Sequence, residues 1–179
     1  MIGFLRRNPN RALIARLYQR IVDASRQQAL YSQFGVPDTL EGRFESLTVH
    51  MVLVLRILRR WPDPAADVAR DLTDAFFAQL DASLRELGVG DVAVPKRMKR
   101  LAEAFYGRAQ AYDAALDAQD EAGLAGALGR NVLGRAEPAA GLARYVLAAE
   151  KGLGALDLDR LLGEGPNFPP PQSLQEGAP

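Results

Sequence analysis

The sequence has no cysteine and a single histidine, His50. Without cysteine there are no disulfides and no thiolate chemistry, which fits a reducing compartment. One histidine leaves too few donors for a protein-only zinc or copper site. Aromatic residues make up only 7% of the chain, and its formal net charge is zero. The longest apolar run, Leu47–Leu58, is interrupted by His50 and Arg56 and is too short to cross a bilayer. The apolar stub Met1–Leu5 before Arg6 and Arg7 has no hydrophobic region behind it, so it is neither a secretory nor a twin-arginine signal. Phosphate-binding loops, dinucleotide fingerprints, His-Glu-x-x-His and the acidic helical motifs of diiron and diphosphate sites are all missing. Nothing repeats at a solenoid period. These absences point to a soluble, cytoplasmic, non-enzymatic protein with no cofactor.

What is present is helix-forming sequence. The 179 residues, 48% hydrophobic and 25% charged, suffice for one domain with a substantial core. The organising stretch runs from Gly35 to Trp61. Pro37 biases Val36 to an extended conformation. Asp38 then stands as an N-cap, with Glu41 three positions on, completing a capping box. Phe44, Leu47, Met51, Val54, Leu55, Leu58 and Trp61 step along one face, while Val49, Val52, Leu53 and Ile57 cover much of the rest. A helix apolar on most sides belongs at the centre of a fold.

Around it the periodicity predicts an irregular all-α bundle of about six helices in a single domain. Asn8-Pro9 opens a basic first helix, within residues 1–34, with Leu13, Leu17, Ile21 and Ala24 inward. Asp63-Pro64 opens a third helix with the stripe Val68, Leu72, Phe76, Leu80, Leu84 and Leu87. After a Gly88–Pro95 loop, a fourth carries Met98, Leu101, Phe105, Tyr112 and Leu116. A glycine-weakened fifth covers 120–133, and a sixth starts at Pro138. The main helical domain is expected over 35–162. From Gly163 the Pro-rich sequence reads as a flexible, disordered tail, or at most a strap across the surface.

Candidate functional residues are polar groups that packing alone does not explain. Ser46 and His50 lie four apart, but a nucleophile needs a group to orient the imidazole and an oxyanion hole, and neither is visible. Arg43, Glu45 and His50 form a polar seam on an otherwise apolar helix, which either specifies register or marks a docking surface. The fourth helix opens with Lys96, Arg97, Lys99 and Arg100, and Arg108 follows on the same face. Asp71, Asp74, Asp81 and Glu86 on the preceding helix are placed to pair with them; contact with phosphates is the alternative, without any nucleic-acid motif. Phe77 and Tyr106 fall beside their core stripes, as second-layer core or as a grip for an apolar partner. Residues 1–60 carry ten Lys/Arg against four Asp/Glu, a bias that suits an anionic membrane surface or the ribosome.

Two blocks carry a family resemblance. Gly35-Val-Pro-Asp-Thr-Leu-Glu-Gly-Arg-Phe-Glu, with His50 and Arg56 downstream, resembles the opening of the ubiquinol–cytochrome c chaperone domain. Leu84-Arg-Glu-Leu-Gly-Val-Gly-Asp-Val-Ala-Val-Pro-Lys-Arg-Met-Lys-Arg, continuing through Ala104-Phe-Tyr-Gly-Arg108 and Tyr112, resembles its centre. Arg130-Asn-Val is similar to a third, weaker motif. The resemblance implies an all-α assembly factor for the respiratory ubiquinol–cytochrome c reductase, complex III. Mitochondrial relatives bind newly made cytochrome b, work with a small partner protein and associate with the ribosome. The chain opens without a mitochondrial-type presequence, so the short bacterial form is expected, peripheral at the inner membrane and without a DNA partner. Arg43, Glu45, His50, Arg56, Phe77, Asp91, Lys96, Arg97, Tyr106 and Arg108 are the candidate partner-binding residues. The competing reading is a helical binding protein for an apolar small molecule such as a quinone or isoprenoid. A closed apolar pocket would favour the small molecule, and an open groove the chaperone.

Overall fold

The chain organises itself around one helix that is buried on nearly every side. In the computed structural model, which describes residues 7–174, α3 (Leu40–Leu58) buries fourteen of its nineteen residues. It is surrounded by α1 (Arg7–Ser25), α4 (Ala65–Glu86), α5 (Val94–Asp117) and α7 (Ala140–Gly154). Short α2 (Gln28–Ser32) leads into it, α6 (Glu121–Asn131) fills the space beside α5 and α7, and α8 (Leu158–Glu164) packs on α1. The described residues are thus all-α: six longer helices as the periodicity predicts, and two short ones. The stub Met1–Leu5 and the end of the tail from residue 175 lie outside the described residues.

The entry to α3 differs from its prediction by one residue. Thr39, not Asp38, is the cap, its hydroxyl accepting from the Gly42 amide at 3.1 Å. Asp38 instead accepts from Arg43 Nε at 2.8 Å, both side chains exposed. Gly42 explains how the extended Val36–Asp38 segment can cross so close to the first turn. A Cβ there would lie 1.9 Å from the Pro37 carbonyl oxygen, so only glycine fits. Gly129 on α6 plays the same part for the Glu137 carbonyl, 2.2 Å from where its Cβ would be. The Ala139 amide then reaches Ala125 O at 2.9 Å, and small buried residues Ala125, Ala127, Ala143 and Ala149 bring α6 and α7 together.

Other helix starts shift in the same way. Pro64 itself occupies the cap position of α4, its carbonyl accepting from the Asp67 and Val68 amides, and Asp63 caps nothing. Helix α1 begins at Arg7, so Asn8 and Pro9 lie inside its first turn. Helix α4 ends at Glu86, which leaves Leu87, the last residue of the predicted stripe, outside the helix and 59% exposed.

Of the two readings of the tail, disordered segment or surface strap, the described residues show the strap. It runs through residue 174, with Phe168 buried and a short 3₁₀ turn at Pro171–Leu174 packed on α2 and α7. Proline does prevent an α-helix here, but docking one phenylalanine in a hole requires no regular structure. Arg16 and Arg20 of α1 hold the start of the strap by donating to Leu162 O (3.3 Å) and Gly163 O (3.0 Å). These are final carbonyls of α8, where cations are favoured.

Candidate functional site

The ten candidate residues do not form one patch; they are distributed over several parts of the fold. The expected seam on α3 comes apart first. Arg43 points to solvent with Asp38, Glu45 turns toward α5, and His50 turns toward α7. Positions two and five apart on a helix point in different directions, and α5 and α7 claim Glu45 and His50 while Arg43, in the first turn, stays in solvent.

Glu45 and Arg108, both expected to face a partner, face each other. Arg108 Nε and Nη2 donate to the Glu45 carboxylate at 2.7 Å each, with a further Nε contact at 3.0 Å. The pairing with Glu45 raises the guanidinium pKa above its ordinary value despite partial burial. Glu45 also adds to the rise that burial imposes on the nearby Tyr112 phenol.

His50 is 1% exposed and fully partnered. Its Nδ1 lies 2.7 Å from Ser46 O and its Nε2 2.7 Å from the Tyr145 hydroxyl. A carbonyl can only accept, so Nδ1 carries the proton and Nε2 accepts from Tyr145. The ring of Phe168 closes the site edge-on at 4.8 Å. Burial pushes the His50 pKa from 6.5 down to about 4, against a small opposing effect of the Ser46 carbonyl. Ser46 Oγ is engaged elsewhere, donating to Ser25 O at 2.8 Å. No nucleophile–base pair exists at this position.

Arg56 is the centre of an internal charge network. Its guanidinium donates to Glu150 on α7 (2.8 Å) and to Asp117 and Asp113 on α5 (2.6 and 3.2 Å). Arg59 joins Asp113, and Arg60 joins Glu150 at 3.2 Å, so three arginines meet three carboxylates. Burial alone would lower the Arg56 pKa; its hydrogen bonds to Asp117, Glu150 and Asp113 outweigh it and hold the group charged. Sequence reasoning missed these carboxylates. A signal existed: Asp113 and Asp117 are spaced four apart on one helix, complementary to Arg56, Arg59 and Arg60 on another. Three of the ten Lys/Arg of residues 1–60 are thereby paired with carboxylates of α5 and α7.

The remaining candidates divide between two places. Phe77 and Tyr106 meet at 6.1 Å between ring centres, on a cluster with Phe76 and Phe105. Phe77 is half-buried and Tyr106 57% exposed, so the cluster runs from core to surface. Asp91, Lys96 and Arg97 sit at the corner between α4 and α5, all exposed. The α4 carboxylates expected to pair with the α5 cations do not. Asp81 pairs with Arg85 and Asp67 with Arg70, each within α4, and Arg85 also takes Asp91 at 2.5 Å.

Beside the aromatic cluster lies a groove of about 360 Å³ between α3, α4 and α5. Val52, Leu55, Phe105, Ala69 and Ala109 form its apolar floor. Arg59, Arg70, Asp74, Thr73 and Tyr106 form a mostly charged rim, open to solvent. Of the ten candidates only Tyr106 lines it; Val52, Leu55 and Phe105 of its floor read in sequence as ordinary core. Among the described residues no cluster of three or more His, Asp or Glu could hold a metal ion, and no helix is long and apolar enough to cross a membrane.

Comparison with known proteins gives this arrangement its context. The crystal structure of the Cbp3 homolog from Brucella abortus is similar with a TM-score of 0.83 and 42% identity, covering 96% of this chain and 98% of that one. Among curated proteins none matches. The model of the ubiquinol–cytochrome c chaperone family matches residues 32–168, from the end of α2 through the docked Phe168. The chain is a member of the ubiquinol–cytochrome c chaperone family.

Proposed function

We propose that this protein is a non-enzymatic assembly chaperone for ubiquinol–cytochrome c reductase that holds newly made cytochrome b on the cytoplasmic side of the membrane. The groove between α3, α4 and α5 is the client site. The observation that carries this reading is the combination of an apolar floor, from Val52, Leu55, Phe105 and Ala109, with an open, charged rim. An apolar client segment gains by covering such a floor, and a charged rim keeps the empty groove soluble. A quinone would be better served by a closed pocket that buries most of the ligand. The internal use of Glu45, His50, Arg56 and Arg108 supports the same placement, because it removes them as partner contacts, while Tyr106 is exposed and Ala69, Phe77 and Ala109 are half-buried at or beside the groove.

The test is co-purification of cytochrome b with the chaperone. Ala109→Glu and Tyr106→Ala, which alter floor and rim, are expected to reduce co-purified cytochrome b and assembled reductase. Arg43→Glu, on the opposite end of α3, is expected to leave both unchanged. Normal co-purification with both groove variants, in folded protein, would refute the site.

A further inference from the structure

The basic third of the sequence and the basic surface of the fold are different places. Arg16 and Arg20 are bound to carbonyls, and Arg43, Arg56, Arg59 and Arg60 to carboxylates. Unneutralised positive charge gathers instead where α4 turns into α5. Lys96, Arg97 and Arg100 are exposed and form no ion pair among the described residues, and Lys99 has only Glu103 at 3.9 Å. The single carboxylate between Leu87 and Arg100 is Asp91, already held by Arg85. Glu86, one residue earlier, is exposed. All four cations stand in the first two turns of α5, the end of a helix where its dipole disfavours positive charge. Apart from the exposed Lys99–Glu103 pair, no ion pair among the described residues rewards their position.

The same corner exposes aliphatic side chains. Large hydrophobic residues stand exposed at four described positions, and two of them, Leu87 at 59% and Val92 at 97%, are here. They are presented by a pinned turn. Gly88 takes a left-handed conformation (φ 79°), the Val89 amide reaches Leu84 O at 3.0 Å, and the Ala93 amide reaches Gly90 O at 2.8 Å. Leu84 and Val94 are the last buried residues on the two arms, so the corner projects beyond the core.

We propose that the α4–α5 corner docks this protein on an anionic lipid bilayer. Leu87 and Val92 enter the interface, and Lys96, Arg97, Lys99 and Arg100 meet the headgroup phosphates. Aliphatic tips beside clustered cations suit an interface with both an apolar and an anionic layer. RNA would attract the same cations, but bases stack on aromatic side chains and the exposed tips here are aliphatic. Docking would also set the height of the groove. Thr73 precedes Leu87 by fourteen residues and Phe105 follows Val94 by eleven. At the helical rise of 1.5 Å per residue this places the near edge of the groove roughly 16–21 Å from the corner. A client segment emerging from the bilayer would meet it there. The docking inference goes beyond the client reading and does not depend on it.

The experiment is co-sedimentation of the full chain with vesicles of phosphatidylcholine, with or without phosphatidylglycerol. Binding is expected only to the phosphatidylglycerol vesicles and is expected to weaken with salt. Lys96→Glu/Arg97→Glu/Arg100→Glu is expected to lower the affinity about tenfold or more. Val92→Asp is expected to weaken it without removing a cation, and Arg11→Glu/Arg26→Glu to leave it unchanged. Thermal melts of these surface variants should match the wild type. Vesicle binding that survives charge reversal at the corner, or moves with Arg11 and Arg26, would overturn the proposal. So would binding of a single-stranded RNA by the corner cations without any vesicle binding. Ala109→Glu separates the two readings, since it should lose cytochrome b and keep the vesicles.

Discussion

Glu45 and Arg108 close on each other across α3 and α5 as a bidentate pair, with the Glu45 side chain 10% and the Arg108 side chain 25% exposed. Partial burial means that neither can lose its partner without consequence. Arg108→Leu leaves the carboxylate unpaired and is expected to cost about 2–4 kcal/mol, towards the low side for a buried pair because water reaches Arg108. Glu45→Leu/Arg108→Leu removes both charges and should cost clearly less than the two single changes added together. Urea unfolding of the four proteins measures this. Additive single changes would mean that the pair contributes nothing specific.

The Arg56 network depends on shape as well as charge. One planar guanidinium serves three carboxylates in different directions, from α5 and α7. Lysine would keep the charge but lose the fork. Arg56→Lys is expected to lower the melting temperature by about 5–10 °C, the equivalent of a few kcal/mol in a domain of this size. Arg56→Met, which leaves the carboxylates without their central cation, should lower it further. Calorimetry at low and high salt is the check. A lysine variant that unfolds where the wild type does would show that charge alone holds α3 to its neighbours.

The central helix and the inward stripes of α1, α4 and α5 were legible because 3.6-residue periodicity is a local property. The resemblance carried the family, on blocks that include Gly42, whose missing Cβ has a physical reason. The destinations of the polar residues were not legible. His50 is explained by Tyr145, 95 positions away, and Arg56 by Glu150, 94 away. Neither separation leaves a trace in local pattern. The groove was hidden for another reason: it takes residues from three helices, and its floor of Val, Leu, Phe and Ala looks like any core.

His50 gives the fold a defined response to acid. Its folded pKa of about 4 lies below the ordinary value of 6.5, so between these values the unfolded chain binds a proton that the folded chain refuses. Stability therefore falls as pH drops through this window, by about 3 kcal/mol in total, and the residue has no effect above it. The immediate partners are the Ser46 carbonyl, the Tyr145 hydroxyl and the Phe168 ring, none charged in this range. His50→Gln can retain hydrogen bonds without titrating and should flatten the slope between pH 6.5 and 4. Denaturant unfolding at a series of pH values decides it; an unchanged slope in the variant would assign the acid sensitivity to carboxylates.

The strap makes the His50 site an enclosed one, and its hold rests on few residues. Phe168 is 8% exposed, and behind it the chain is fixed by Arg16 and Arg20 on the last carbonyls of α8. Gly165, at φ 90°, passes so close to Arg20 that a Cβ would lie 2.4 Å from its Cδ. Phe168→Ala is expected to cost about 2–3 kcal/mol, the loss of a phenylalanine at the edge of a core. The change should free the strap before the rest unfolds, because residues 165–170 have no helix of their own to retain. Limited proteolysis distinguishes the two events: the variant should be cut after Gly163 under conditions where wild-type protein is protected and both cores resist. Water would then reach His50, and its pKa should move back toward 6.5, which proton NMR of the single imidazole reads directly. If the strap is released and the histidine still titrates near 4, the desolvation comes from α3 and α7 alone, with Phe168 as cover and not as cause.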